Sequence, residues 1–230
     1  MPKTIIYQEA ANRAAGLLLD IDALSIRFDP PFVFTTGLKS PIYLDNRVVM
    51  SHPAVRAKII ELYVEAIRKF VGIENVDCIS ATATAAIPHG SWIAGMLNLP
   101  MVFVRPTTKK HGKGNRLEGY LKKGSRVVII EDHISTAESV VNNAKTIRSH
   151  GGIVTYCLAT STYETRESET ALYENKIQLI ALTTGRHLIA EANKRGIVTV
   201  SQKKLIDLWF DNPKDWGKTV KTEGLGQIDS

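Results

Sequence analysis

The spacing of apolar residues predicts the elements of the amino-terminal third. Near-helical spacing through the first twenty residues predicts an amphipathic helix that ends near Asp20. Pro, Phe, Thr and Gly then dominate residues 25–46, which predicts extended segments and a turn, with a strand over 41–45. Apolar positions on one face predict a second helix over 52–70. This third of the chain therefore combines two helices with an irregular, extended segment.

The rest of the chain alternates regularly between short apolar runs and helical patterns. Strands are predicted over 76–80, 101–104, 127–130, 153–159 and 178–182, with helices over 87–97 and 139–150. Near-continuous apolar strands that alternate with helices indicate an α/β fold with a mostly parallel sheet covered on both faces. Such sheets bind ligands at the carboxyl ends of their strands. A last apolar helix around 205–210 is expected to cap the core or a partner subunit.

Composition places the chain among ordinary globular proteins. Its 230 residues are 44% hydrophobic and 23% charged, which excludes disorder, collagen and disulfide scaffolds. The net charge is +6, but eight basic residues and one acid lie between Arg105 and Arg126, and the remainder holds 21 basic and 22 acidic residues. The basic character is therefore local, which favours a defined anionic ligand over nucleic acid.

The cysteines, the amino terminus and the uncharged stretch indicate the cellular compartment that is expected for the protein. Cys78 and Cys157 lie in apolar runs without metal-binding spacing, so reduced thiols in a cytoplasmic protein are expected. The amino terminus shows no signal-peptide pattern. Residues 78–104 carry no formal charge, but Pro88, Pro100 and several polar residues divide them into strand, loop and helix. No membrane association is expected.

The segment 127–139 holds the sharpest chemical pattern. A buried strand ends in Glu131 and Asp132, and small hydroxyl residues then open a helix. Hydroxyls and free amide groups at a helix start hold phosphate, and adjacent carboxylates accept hydrogen bonds from ribose hydroxyls. The pattern suits a sugar phosphate. The alternative is an acidic strand end followed by an ordinary Ser or Thr helix cap.

A basic loop precedes this motif along the chain. Residues 105–119 follow a strand end, contain two glycines before Arg116 and lack apolar periodicity. We interpret them as a mobile loop that closes over an anionic substrate. A solvated charged turn is the alternative.

These motifs together resemble the bacterial type of orotate phosphoribosyltransferase. Residues 34–47, with the sequence FTTGLKSPIYLDNR, look like that family's amino-terminal hood, which the resemblance assigns to orotate recognition. Residues 81–90 are similar to its pyrophosphate loop, 105–119 to its catalytic loop and 131–139 to its phosphoribosyl pyrophosphate motif. The resemblance implies one domain over 1–230 with a type I phosphoribosyltransferase fold. Its hood would comprise about residues 1–50 with the carboxyl-terminal helix, and its core about 51–200.

The resemblance also implies roles for single residues. It makes Lys109, His111 and Asp132 catalytic. The substrate-binding positions that it implies are Lys39, Tyr43, Arg105, Glu131, Asp132, Ser135, Thr136, Ala137 and Ser139. Arg105, Lys109 and His111 match pyrophosphate contacts, Glu131 and Asp132 hold the ribose, and Thr136 and Ser139 meet the 5-phosphate. Mg²⁺ is implied as cofactor, held through the substrate without direct protein ligands. The implied partners are phosphoribosyl pyrophosphate, orotate and a second copy of the chain that shares the active sites.

Several residues depart from the family pattern. Ala137 and Glu138 stand where a glycine-containing pair is usual. The Ala137 methyl is expected to obstruct either a close approach or a positive φ, and the Glu138 carboxylate to oppose the phosphate unless it points away. Ala81 and Ala86 replace glycines of the pyrophosphate loop. His133 replaces an apolar residue, as a neutral exposed side chain or as an altered contact. A regulator or pseudoenzyme of the same fold is therefore the alternative function.

Other functions have weaker support in the sequence. A transferase with another acceptor base conflicts with the hood residues, and a nucleic-acid binder lacks an aromatic platform beside the basic loop. The six histidines form no zinc-site spacing. We interpret His89 as a packing or capping residue and residues 185–187 as the turn between the last strand and a helix.

Overall fold

The computed structural model describes residues 4–34, 37–106 and 116–217. The strands within these ranges are β1 (Ile5–Ile6), β2 (Leu24–Ile26), β3 (Phe32–Val33), β4 (Lys39–Ser40), β5 (Ile42–Leu44), β6 (Cys78–Thr82), β7 (Met101–Val104), β8 (Leu117–Glu118), β9 (Arg126–Ile134), β10 (Ile153–Thr162) and β11 (Gln178–Thr184). The helices are α1 (Gln8–Leu19), α2 (Pro53–Ala66), α3 (Ala86–Leu97), α4 (Glu138–Ser149), α5 (Arg166–Glu174), α6 (Gly185–Lys194) and α7 (Val200–Asp211). Shorter helical turns cover Asn46–Ser51, Ile67–Val71 and Ile73–Asn75.

The described residues form a seven-stranded sheet in the order β1, β11, β10, β9, β6, β7, β8. Its strands pair in parallel, except that β8 runs antiparallel to β7. From β6 the chain moves outward to β7 and then returns to the other side of β6 as β9. The strand order therefore reverses between β6 and β9, and a crevice opens there at the carboxyl ends of both strands.

Alternating side chains of β9 build the core on both faces of the sheet. Val128 and Ile130 pack with α1, α2 and α3 in one cluster, whereas Val127 and Ile129 pack with α4 and α5 in the other. The strand is apolar from Val127 to Ile130 because both of its faces are covered there. The predicted α/β architecture with a mostly parallel sheet is confirmed.

A third cluster joins the amino-terminal strands to the carboxyl-terminal helix. Ile42 and Leu44 of β5 pack in it with Leu188 of α6 and Trp209 of α7. The indole Nε1 of Trp209 donates a hydrogen bond to the Lys39 carbonyl, at 2.9 Å. Of the two expected roles, a cap on the core or on a partner subunit, the structure shows the cap on the core, where α7 packs with β2 and β5.

Four sequence predictions need correction. Ile5 and Ile6 do not belong to the first helix, because they pair with Ile180 and Ala181 at the sheet edge as β1. The second predicted helix is α-helical to Ala66 and ends in a π-helical turn before Gly72, whose φ of +79° terminates it. The two acids lie inside β9, which continues to Ile134. Residues 185–187 are the first turn of α6, capped by Thr184.

Candidate active site

Glu131 is held by its own strand and by the helix that follows. Its side chain is 4% exposed, and its Oε2 accepts a hydrogen bond from the Ser139 hydroxyl at 3.0 Å. Its Oε1 accepts from the Asp132 amide at 3.1 Å. Burial, reinforced by the neighbouring Asp132 charge, raises the pKa of Glu131 well above its usual range. Asp132 is only half-buried and is therefore the more accessible of the two acids.

The turn from β9 into α4 directs the amino-terminal end of that helix toward the crevice. Ala137 is the residue before α4 and adopts the left-handed conformation, with φ +64° and ψ +8°. The amide groups of the first turn of α4 have no intrahelical acceptors, so they form an anion-binding end. The Ser135 carbonyl accepts from the Thr165 hydroxyl at 2.6 Å, which ties the turn to the start of α5. The Ala137 methyl therefore does not prevent the positive φ that it was expected to obstruct.

The loop after β6 faces the same crevice. Ala81 and Ala86 are fully buried, and a Cβ built on Gly90 would lie 2.9 Å from the Ala81 Cβ. The two alanine methyls therefore point into the packing between β6 and α3, where Gly90 makes room for Ala81. The Ala83–Thr84 peptide bond in this loop is cis. Neither methyl is exposed to an anion in the crevice.

Asn143 connects α4 to β6 by side-chain hydrogen bonds. It is a buried residue of α4, and its Nδ2 donates to the Thr82 hydroxyl at 3.1 Å. Its Oδ1 accepts from the Ser80 hydroxyl at 2.8 Å. One amide therefore fixes α4 to the end of β6.

The carbonyl groups of both acids also have buried partners. The Tyr63 hydroxyl, on α2, donates to the Glu131 carbonyl at 2.7 Å and contacts the Thr160 hydroxyl at 2.8 Å. Asn46 follows β5, and its Nδ2 donates to the Asp132 carbonyl at 2.7 Å and to the Ser161 hydroxyl at 2.9 Å. The hood is thereby attached to the acidic strand at Asp132.

The sequence did not single out Asn46, Tyr63, Asn143 or Ser161 as site residues. Asn46 lies within the hood motif, and Ser161 prolongs an apolar strand with a polar residue, so both had a weak signature. Tyr63 and Asn143 lie on helices. Their hydrogen-bond partners are residues distant in sequence, so no local pattern marks either residue.

The remaining predicted site residues lie on the hood strands, after β7 and in the turn before α4. Lys39 is an exposed residue of β4, and the exposed Tyr43 of β5 accepts a hydrogen bond from Arg47 at 3.1 Å. Arg105 follows β7, and its Nε lies 3.0 Å from the Glu118 Oε1. Thr136 is half-buried in the turn before α4. Lys109 and His111 lie outside the described residues.

The two buried histidines have different surroundings. His89 is fully buried, with its ring 6.3 Å from Tyr63 and 5.9 Å from Trp92, which confirms the packing interpretation. Burial lowers its pKa. His133 is half-buried and bonded to Ser161 at 2.8 Å, so its interpretation as an exposed side chain is wrong. Burial lowers the pKa of His133 to about 4, and the Asp132 charge opposes this shift.

Within residues 4–34, 37–106 and 116–217, no group of three or more His, Cys, Asp or Glu side chains is placed to hold a metal ion. In the same ranges no helix is long and apolar enough to cross a membrane.

Comparison with known proteins decides the family. The chain is 39% identical over 210 residues to the orotate phosphoribosyltransferase of Enterococcus faecalis, covering 91% of this chain and 99% of that protein. It is 37% identical over 206 residues to the orotate phosphoribosyltransferase of Coxiella burnetii, covering 90% and 98%. The chain belongs to the orotate phosphoribosyltransferase family. No protein-family model matches it.

Solved structures agree with membership of the orotate phosphoribosyltransferase family. A structure of Leishmania donovani UMP synthase matches with a TM-score of 0.74 and 25% identity, over 87% of this chain and 42% of that one. The orotate phosphoribosyltransferase from Aeropyrum pernix matches with a TM-score of 0.68 and 24% identity, over 80% and 98%. The predicted type I phosphoribosyltransferase fold is confirmed.

Proposed function

We propose that the protein transfers the phosphoribosyl group of phosphoribosyl pyrophosphate to orotate, giving orotidine 5'-monophosphate and pyrophosphate in pyrimidine biosynthesis. The observation that carries this proposal is the acidic pair Glu131 and Asp132 beside the open start of α4, at the point where the strand order reverses. Carboxylates there suit ribose hydroxyls, and the helix start suits the 5-phosphate.

The reaction explains why these groups lie together. The bond from the anomeric carbon to pyrophosphate breaks, its electron pair leaves with pyrophosphate, and an orotate ring nitrogen that loses its proton forms the new bond. Positive charge develops on the sugar while negative charge develops on the leaving group. Asp132 and Glu131 fix and stabilise the ribose. Cations of the basic loop, with Arg105, Lys109 and His111 as candidates, stabilise the departing pyrophosphate.

Mg²⁺ is part of this proposal. Oxygens of the substrate would hold the ion, without direct protein ligands. Held in this way, the ion would supply neutralising charge to the leaving pyrophosphate. Ser139 and the Asp132 amide orient the Glu131 carboxylate by hydrogen bonds to its two oxygens.

We further propose a cytoplasmic homodimer in which the basic loop of one subunit reaches the site of the other. The two free cysteines, Cys78 and Cys157, are buried, which agrees with a reducing compartment.

A panel of acceptor bases tests the assignment. Pyrophosphate release from phosphoribosyl pyrophosphate should require both Mg²⁺ and orotate, and adenine, hypoxanthine or uracil should not replace orotate. Release with one of those bases and not with orotate would favour a transferase with another acceptor. Binding of phosphoribosyl pyrophosphate without release for any base would favour the regulator, which the carboxylate of Glu138 at the start of α4 would explain.

A further inference from the structure

His133 lies beside the acidic pair in a network that crosses from the sheet to the hood. It is opposite Ser161 in the register of β9 and β10. Its Nδ1 lies 2.8 Å from the Ser161 Oγ. Its ring meets the Tyr163 ring edge to face at 4.2 Å, and Tyr163 in turn meets Trp209 of α7 at 5.1 Å. Two contacts of different kinds therefore fix the imidazole.

The side-chain contacts of this network follow one order. The Asp132 carbonyl only accepts, so the Nδ2 of Asn46 must face it. The second Nδ2 hydrogen of Asn46 goes to the Ser161 Oγ. The Ser161 Oγ shares a further hydrogen bond with the Nδ1 of His133, and the imidazole tautomer decides which of the two atoms donates. The order of contacts runs from Asn46 through Ser161 to His133.

This order gives His133 a part in placing Asp132. Without a hydrogen-bond partner at Nδ1, the Ser161 side chain loses one of the two contacts that fix its Oγ and no longer holds a single orientation toward Asn46. Asn46 holds the Asp132 carbonyl and also precedes Arg47, whose guanidinium pairs with Asp45. The main chain of the acid and the hood segment after β5 therefore depend on the same three side chains.

We propose that His133 is a positioning residue for the transfer reaction, acting through Ser161 and Asn46 to hold the Asp132 main chain against the hood. The proposal rests on the proposed function for its effect on turnover. An apolar residue at this position would not share a hydrogen bond with Ser161.

Steady-state kinetics of the full-length chain test the proposal. His133→Leu should lower kcat about tenfold, the effect of one ordinary hydrogen bond, while KM for either substrate changes less than about twofold. His133→Asn, which restores a polar atom near the Nδ1 position, should recover most of the rate. His150→Leu is the matched control, because that exposed ring bonds the Thr146 carbonyl at the far end of α4. It should equal the wild type.

A double-mutant cycle and an exchange measurement decide the outcome. The double variant His133→Leu/Ser161→Ala should be no slower than Ser161→Ala alone, because both changes break one pathway. Additive losses, or equal rates for His133→Leu and His150→Leu, would overturn the proposal.

Amide hydrogen exchange in residues 44–51 should be about tenfold faster in His133→Leu, whether or not the wild type turns over. Unchanged exchange would overturn the role of His133, whereas absent wild-type turnover with faster exchange would overturn only the proposed function.

Discussion

Ala137 stands where the family pattern has glycine, and it still adopts the left-handed conformation of this turn. An L-residue in the left-handed region costs roughly 1 kcal/mol, which is why glycine suits this turn. The Ala137 methyl is nevertheless 3% exposed and packs among the residues of β9 and α4. Burying a methyl group contributes about 0.8 kcal/mol, so the two effects nearly offset each other. The turn keeps the shape that an anion site requires.

Ala137→Gly is accordingly expected to change the free energy of unfolding by less than about 0.5 kcal/mol. Ala144→Gly is the matched control, since Ala144 is equally buried but lies in the middle of α4. It should lose about 2 kcal/mol from lost helix propensity and lost burial together. Urea denaturation measures both. Equal losses would contradict the left-handed conformation at Ala137.

His133 is expected to make stability depend on pH below neutrality. Its folded pKa of about 4 lies below its unfolded value, so the unfolded chain takes up a proton first as pH falls. The stability of the neutral form is present above about pH 6.5 and declines toward pH 4. Between pH 7.5 and 5 the wild type should lose about 2 kcal/mol more than His133→Leu. Parallel losses, measured by urea denaturation at both pH values, would contradict the burial of this imidazole.

At the scale of elements, hydrophobic periodicity predicted the buried strands and the helices α2, α3 and α4. In those segments the apolar positions of the sequence are also the buried positions of the structure, because both faces of the sheet are covered. Periodicity missed α5, whose polar sequence has two buried residues, and β8, a two-residue strand. It also placed the acids after β9 rather than within it, because polar residues at the end of a buried strand resemble a loop. Pairings such as Asn46 with Asp132 join residues distant in sequence and leave no periodic pattern.

Asn143 is the clearest element-scale contact to test. Asn143→Leu should destabilise the protein by about 2 kcal/mol, because the buried Ser80 and Thr82 hydroxyls both lose their partner. Asn142→Leu, on the same helix, is the control and should change stability by less than about 0.5 kcal/mol. Thermal unfolding distinguishes the two variants. Equal midpoints would contradict the connection between α4 and β6.

At the scale of the whole molecule, the hood, α7 and the acidic strand form one connected unit. Trp209 links α7 to the Lys39 carbonyl and packs against Tyr163, which in turn contacts His133. The sequence predicted each part but not the side chains that connect them. The shared-site dimer adds a second subunit to this unit as a proposal.

Subunit mixing tests the shared site. Lys109→Ala and Asp132→Asn should each be inactive alone, because each damages every site of its own dimer. Mixed and allowed to exchange, they should recover about a quarter of wild-type activity, since half the dimers then contain one intact site of two. No recovery after demonstrated exchange would place Lys109 in the same subunit's site. A monomer in light scattering at micromolar concentration would contradict the dimer itself.

The loss of orotate absorbance on adding the protein, phosphoribosyl pyrophosphate and Mg²⁺ tests the central claim most directly. The wild type should turn over, Asp132→Asn should lose at least about 99% of the rate, and turnover should stop when the metal is chelated. Asp22→Asn is the control, because Asp22 is exposed with φ +53°, a conformation that asparagine adopts equally well. It should match the wild type. A folded wild-type protein that leaves orotate unchanged would contradict the account, and so would undiminished turnover by Asp132→Asn.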